Sequence, residues 1–339
     1  MPARFSIARI LGPSYSLRCL VFHNISSSDS PFTKGINVST TLEEFEAALR
    51  FLTAYYTPVR LDQVLANSHG RSLPARAVLV TFDDAYASVA ELAAPLCQKF
   101  KVPALFFVNA AFVDNQRLAP DNLVCYVANM LGMKPINAAA QAVQGNESPE
   151  LRTLAEVFGV FLPSLTLAER KEFLETLEKM TGVNNHRLLE ESSLYLSSNQ
   201  LRALASFDFE IGNHTYSHVH CRALSQSDFA QEIAGNKAEL EAVTRSRVRS
   251  FSLPYGSSKD LTSELKASLQ QSGHEAVFLS ESVANSRGAE SFRLDRVNPR
   301  SDSDGALFMD LEVLPRLRLI RNRLLRTSSP AADRAPRPS

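Results

Sequence analysis

The chain has 339 residues, of which 45% are hydrophobic, and this is enough apolar sequence to bury a large core. Lys plus Arg and Asp plus Glu are balanced at 36 each, so no chain-wide charge favours nucleic acid or an acidic polymer as a partner. No segment reaches the roughly 18 apolar residues of a membrane span, and no apolar signal region follows the N-terminus, so we expect a cytoplasmic protein.

Strands and helices alternate at the start of the chain. The patterns predict strands at 17–23, 78–82 and 102–108 and helices at 41–52, 61–66 and 88–100. The strand at 78–82 is an apolar, β-branched run that ends in Asp83 and Asp84, which is typical of a buried parallel strand. Strand, helix and strand in this order indicate β-α-β units of the parallel type.

The alternation of strands and helices stops after the third strand. Residues 114–200 contain four predicted helices, at 123–131, 154–161, 166–181 and 200–205. We interpret this stretch as a helical insertion that either shapes a binding groove or serves only stability.

The alternating pattern then resumes. Strands are predicted at 207–212, 248–253 and 276–279, helices at 225–244 and 261–272, a strand or loop at 293–299, and a basic helix at 315–326. Residues 327–339 are a low-complexity tail that we expect to be disordered. The prediction is one α/β domain over 1–326, a barrel or open parallel sheet whose working face lies at the carboxyl ends of its strands.

Asp83 and Asp84 are neighbouring carboxylates, and such a pair usually needs a cation nearby. The four cysteines form no CxxC pair, so we expect buried thiols rather than a disulfide framework or a thiolate zinc site. His214 and His218 are four residues apart and would share one face of a helical turn. With Asp84 they would give three ligands and one open position, the arrangement of a catalytic metal, which leaves Asp83 as general base.

Each half of this constellation has an ordinary interpretation when taken alone. Two histidines at this spacing are often surface residues, and aspartates are common in helix caps and loops. Nearby His220 is close enough in sequence to be a ligand or a proton shuttle, but we expect it to face solvent.

Three stretches, taken together and in order, carry a family resemblance: Thr81–Asp84, His214–His218 and Phe251–Gly256. They resemble the first three motifs of the polysaccharide deacetylase family, the NodB homology domain or carbohydrate esterase family 4, in a divergent exopolysaccharide-type form. The resemblance runs from the predicted strand that ends at His23 to about Pro299.

The resemblance implies a distorted (β/α)7 barrel of the NodB type that carries the helical insertion. It also implies a divalent metal, usually zinc, on Asp84, His214 and His218, with Asp83 as general base and the Tyr255 backbone N–H as a donor to the oxyanion. The metal would polarise an amide carbonyl and lower the pKa of water, and Asp83 would take the proton. The implied activity removes N-acetyl groups from amino sugars in a polysaccharide, an oligosaccharide or a lipid-linked glycan precursor.

Three departures from the family pattern concern the groups around the metal. Ser252 stands where many members have an arginine that orients the base, and either Arg296 replaces that arginine or it forms an ordinary surface ion pair. No histidine follows His274, so the family's usual general acid is missing. His23 either takes its place or is a structural histidine bonded to a backbone carbonyl. Ala85 stands where glycine is common.

Other functions remain open on the sequence. One alternative is a weak or inactive carbohydrate-binding member, which would lack metal and release no acetate. Another is a hydrolase of a different amide such as a formamide, which would release formate. The basic segment at 316–326 either rests on an anionic membrane surface or packs its apolar residues on its own domain.

Overall fold

The computed structural model describes residues 17–68, 72–145, 148–207, 209–285, 290–299 and 303–327. Apart from Thr327, the predicted tail lies outside the described residues. The strands are β1 (Arg18–Phe22), β2 (Asn24–Ile25), β3 (Ser39–Thr40), β4 (Thr57–Pro58), β5 (Ala77–Phe82), β6 (Ala104–Val108), β7 (Glu210–Asn213), β8 (Ser250–Ser252), β9 (Ala276–Leu279) and β10 (Leu294–Asp295).

The α-helices surround these strands. They are α1 (Leu42–Tyr55), α2 (Leu61–Ser68), α3 (Ala94–Phe100), α4 (Pro120–Leu131), α5 (Lys134–Gln144), α6 (Leu154–Glu156), α7 (Leu162–Ser164), α8 (Leu167–Thr181), α9 (Asn185–Ser192), α10 (Ser198–Ser206), α11 (Asn236–Thr244), α12 (Ser263–Gln271), α13 (Asp304–Phe308) and α14 (Leu314–Thr327). Wider π-helical turns lead into α3, α7, α11 and α14, and they occupy Val89–Ala93, Val157–Phe161, Ala230–Gly235 and Met309–Val313.

Seven strands form a parallel barrel in the order β1-β5-β6-β7-β8-β9-β10. The barrel closes where Leu20 bridges Val297 in parallel, and the Val297 N–H donates to the Cys19 carbonyl at 2.9 Å. The two-residue β4 pairs with β5, while β2 and β3 form a separate pair. The predicted distorted (β/α)7 barrel is therefore confirmed.

The barrel interior explains which strand residues reach the working face. Cys19, Leu79, Leu105, Phe278 and Leu294 come from five strands and form one buried cluster inside the barrel. Because side chains alternate along a strand, Thr81 and Asp83 follow Leu79 on the inner side of β5. Asp83 thus enters the barrel lumen at its carboxyl end.

The outer layer is made by amphipathic helices, of which α1 is the clearest. The Thr41 side chain accepts a hydrogen bond from the Glu44 N–H, and the Glu44 carboxylate accepts one from the Thr41 N–H at 2.8 Å. These two bonds form a capping box. The apolar face of the helix buries Phe45, Leu49 and Leu52 completely. Each such side chain contributes roughly 1.5–3 kcal/mol through removal from water.

The segment between β6 and β7 packs around a core of its own. Val124, Val127, Phe161, Phe173 and Leu177 are all buried there in one cluster. The sequence patterns missed two helices of this segment, α5 and α9. α5 buries one large apolar side chain, Ile136, beside two alanines, and in α9 only Leu189 is buried.

The C-terminal helices are tied to the barrel by a buried ion pair. The Arg18 guanidinium lies 2.7 Å from the Glu312 carboxylate, and the Tyr56 hydroxyl donates to the same group at 2.9 Å. On α14, Leu317 and Ile320 are more than half exposed. None of the helices in the described ranges is both long and apolar enough to cross a membrane.

Candidate active site

A cleft of about 460 Å³ opens at the carboxyl ends of the barrel strands. His23 follows β1, Asp83 and Asp84 follow β5, and Tyr255 follows β8, and all four residues line it. His214 and His218, from the loop after β7, line the same cleft. The structure therefore brings together six of the seven predicted site residues, and the seventh, Arg296, lies directly beneath Asp83.

Asp84, His214 and His218 form one compact group. Asp84 Oδ1 lies 3.2 Å from His214 Nε2 and 3.3 Å from His218 Nε2, and the three potential ligand atoms lie within 4.8 Å of one another. In the described part of the chain, Asp84 Oδ1 is buried and has no hydrogen-bond partner. Burial opposes ionisation of Asp84, but the His218 and His214 imidazoles outweigh it and hold the pKa of this carboxyl below its ordinary value.

The other ring nitrogens of the two histidines are both occupied. His214 Nδ1 lies 2.8 Å from the Ser252 carbonyl, and His218 Nδ1 lies 2.9 Å from Asp121 Oδ2. Since a carbonyl only accepts, Nδ1 of His214 carries the proton and its Nε2 presents a lone pair when the ring is neutral. Neutral imidazoles with these outer partners, together with a carboxylate oxygen, are the donor set that suits a divalent cation.

The loop that carries the two histidines does not form the helical turn that would place both imidazoles on one face. Thr215 and His218 have φ values of 61° and 54°, in the left-handed region that side chains seldom adopt. Neighbouring polar groups hold this shape: the Glu232 carboxylate accepts from Ser217, and Asn109 donates to the Thr215 carbonyl at 2.9 Å. The residues that fix the loop lie far away in sequence, and no local pattern indicated them.

Asp83 is held by Arg296. Two guanidinium nitrogens of Arg296 donate to the two oxygens of Asp83 at 2.7 Å each, and further bonds reach Thr81 and Ser252. Arg296 is 0% exposed, so the alternative of an ordinary surface ion pair is wrong. Burial disfavours charge on Asp83, but the guanidinium more than offsets it and holds the pKa of Asp83 below its ordinary value.

His23 lies in the cleft, and its Nδ1 is buried without a hydrogen-bond partner in the described part of the chain. Nδ1 therefore does not make the hydrogen bond to a backbone carbonyl that a purely structural histidine was expected to make. Burial lowers the pKa of His23, although Asp84 and Asp83 act in the opposite direction.

Tyr255 occupies a left-handed turn with φ of 61°, followed by Gly256 at 67°. A Cβ on Gly256 would lie 2.6 Å from the Ser280 nitrogen, so only glycine fits there. The Tyr255 hydroxyl donates to Asp121 at 2.7 Å, and its ring stacks on His220 with centroids 3.6 Å apart. His220 is buried, which corrects the expectation that it faces solvent.

Asp121 is a charged residue of this site that the sequence patterns did not indicate. It lies in the first turn of α4, within the predicted insertion, and it lines the cleft. Acidic residues are common at helix starts, so its position alone carried no signal of function.

Fold and site together define a parallel α/β barrel protein with an Asp-His-His cluster beside an arginine-paired aspartate. The family model for polysaccharide deacetylase matches residues 70–277, and the chain belongs to that family. His23 and Arg296 both lie outside the matched range.

Solved structures share the fold at low sequence identity. The Streptococcus pyogenes deacetylase PplD, solved with acetate, is 13% identical, with 88% of this chain and 98% of that chain covered and a TM-score of 0.58. IcaB from Ammonifex degensii is 19% identical, with 88% and 98% covered and a TM-score of 0.55. A de-N-acetylase from Aggregatibacter actinomycetemcomitans is 15% identical, with 85% and 95% covered and a TM-score of 0.53. None of the curated protein sequences matches the chain.

Proposed function

We propose that the protein is a zinc-dependent hydrolase that removes N-acetyl groups from amino sugars in a polysaccharide, an oligosaccharide or a lipid-linked glycan precursor. The observation that carries the proposal is the convergence of Asp84, His214 and His218 beside Asp83 in one cleft. When bound there, a divalent cation would polarise an amide carbonyl and lower the pKa of water.

The roles of the protein's own residues follow from their surroundings. Asp83 stays ionised against Arg296 and accepts the proton of the attacking water. The Tyr255 N–H, which the left-handed turn directs, donates to the developing oxyanion. His23 donates a proton to the leaving amine, because it is the remaining histidine of the cleft that is not in the Asp-His-His cluster.

Acetate release from N-acetylated chito-oligosaccharides tests this assignment. Asp83→Asn should lower the rate by about 10²–10⁴-fold, the usual contribution of a general base. Asp62→Asn, on the half-exposed surface of α2, serves as the matched control and should keep the wild-type rate. Equal rates for Asp83→Asn and wild type would contradict the proposal, and formate in place of acetate would move it to a formamide substrate.

A cytoplasmic enzyme of this kind would meet a precursor rather than finished cell wall, and α14 offers a way to reach a lipid-linked one. Leu317 and Ile320 are exposed between arginines, and Arg318 contacts the carbonyl of Ser282, which lines the cleft. We propose that this face rests on anionic lipid. Leu317→Gln with Ile320→Gln should reduce co-sedimentation with anionic vesicles, whereas Met309→Gln, at another exposed apolar residue, should not. Equal binding by all proteins would dismiss the contact.

A further inference from the structure

We propose that Asp121 is a positioning residue, supplied by the segment between β6 and β7, that orients one histidine of the cluster and Tyr255 at the same time. The inference rests on the proposed function, because it gives Asp121 its role toward the same site. It assigns this segment a part in the chemistry beyond packing and groove shape.

The contacts of Asp121 place it between two functional groups. Its Oδ2 lies 2.9 Å from His218 Nδ1, and its Oδ1 accepts from the Tyr255 hydroxyl at 2.7 Å. The first contact keeps a proton on Nδ1, so when the ring is neutral Nε2 presents its lone pair to the space that it shares with Asp84 and His214. The second contact anchors the side chain of the residue whose N–H is the proposed oxyanion donor. One carboxylate therefore aligns a ligand and a donor.

The position of Asp121 is itself fixed by a buried polar network at the start of α4. The Ala119 N–H donates to the Tyr195 hydroxyl at 2.8 Å, and that hydroxyl donates to Asn122 at 2.6 Å. Asn122 donates in turn to the hydroxyl of Tyr86, two residues after Asp84. This network connects the start of α4, which carries Asp121, to the loop after β5, which carries Asp84.

The two histidines are oriented by different parts of the chain. His214 has its partner in the barrel, at the backbone carbonyl of Ser252. His218 has both of its outer partners in the segment between β6 and β7, because Arg170 on α8 also donates to the His218 carbonyl at 2.7 Å. A change at Asp121 should therefore act on the His218 side of the cluster and leave the barrel side intact.

Zinc affinity, measured by competition with a chromophoric chelator, tests the inference without relying on activity. Asp121→Ala should weaken zinc binding by roughly 10–100-fold, the range found when outer partners of ligating histidines are removed. Asp121→Asn, which keeps the shape and is the second variant should Asp121→Ala not fold, should lie near the lower end of that range. Exposed Glu172→Ala on α8 removes a negative charge away from the site and should bind zinc like the wild type.

Tyr255→Phe separates the two contacts of Asp121. It keeps the His218 contact, so zinc affinity should stay at the wild-type value, while kcat at saturating zinc should fall with little change in KM. If wild type binds zinc and the Asp121 variants bind it equally well, the inference fails and the proposed function stands. If wild type binds no zinc, the proposed function fails and the inference falls with it.

Discussion

At the scale of single residues, Arg296 supplies Asp83 with the guanidinium partner that was expected at position 252. Ser252 occupies the place of an expected arginine, and its hydroxyl lies 2.7 Å from the Arg296 guanidinium and 3.2 Å from Asp83. The cation reaches Asp83 from β10 instead of β8. Arg296 also contacts Thr81, and hydrogen bonds offset the desolvation of the two buried charges.

This arrangement predicts that an arginine at position 252 can partly replace Arg296. Arg296→Ser should cost roughly 3–5 kcal/mol of stability, because it leaves the buried Asp83 carboxylate without its cation. Adding Ser252→Arg should restore part of both stability and acetate release, since position 252 reaches the same carboxylate. Denaturant unfolding and rate measurements on the two single variants and the double variant give the coupling energy between positions 252 and 296. Strictly additive losses would show that the two positions do not share one role.

The role proposed for His23 predicts a difference between leaving groups. An amine must be protonated as it leaves, whereas nitrophenolate leaves without help. His23→Ala should therefore slow amide deacetylation by about 10²–10⁴-fold and leave hydrolysis of nitrophenyl acetate nearly unchanged. Equal losses on the two substrates would mean that His23 has another role.

Zinc binding should depend on pH through His218. Burial alone would lower the His218 pKa, but the carboxylates of Asp121 and Asp84 outweigh it and raise the pKa above its ordinary 6.5. Zinc must displace that proton, so affinity should fall about tenfold per pH unit below this pKa and level off above it.

The metal-free protein should show the opposite trend. Protonated His218 between two carboxylates gives stability that is fully present below the unfolded pKa near 6.5 and is lost as pH rises through the raised folded value. Isothermal titration with zinc and thermal unfolding without it, both across this range, check the two signs. A zinc affinity that does not change between about pH 6 and pH 8 would contradict the assignment of His218 as a ligand.

At the scale of single elements, the sequence patterns predicted segments that bury many large apolar side chains. The strand at 276–279 was predicted from its continuous apolar run, and helix α1 from apolar residues that recur at helical spacing. The helices α5 and α9 were missed because they bury few large side chains. The loop from His214 to His218 is held in left-handed conformations by partners elsewhere in the chain, such as Glu232 and Asn109, so its shape could not be predicted from its own residues.

The attachment of the C-terminal helices gives a prediction at the same scale. Glu312 is 2% exposed and accepts from Arg18, Tyr56 and Arg316. Glu312→Ala should cost about 3–5 kcal/mol, because the Arg18 charge would remain buried without its carboxylate. Glu46→Ala, at the surface ion pair with Arg50 on α1, should cost far less, because solvent screens exposed ion pairs. Urea unfolding of both variants compares a buried with an exposed pair, and similar losses would contradict this ranking.

At the scale of the whole molecule, the barrel and the cluster of Asp84, His214 and His218 were predictable because each motif ends a strand on the same side of a parallel sheet. The residues that contact Asp83 and His218 were harder to predict from the sequence. Arg296 reaches Asp83 only because β10 closes the barrel beside β1, and Asp121 meets His218 only because α4 folds back over the cleft. Both contacts depend on long-range closure, which no local pattern encodes.

The central claim is that this cluster binds a divalent cation, and metal content tests it most directly. Wild-type protein loaded with zinc and dialysed should hold about one ion per chain by elemental analysis, as should His186→Ala, which removes an exposed histidine on α9. His214→Ala and Asp84→Ala should lose most of the zinc while keeping the wild-type circular dichroism. Wild-type protein without zinc, or a His214→Ala variant that retains a full equivalent, would contradict the account.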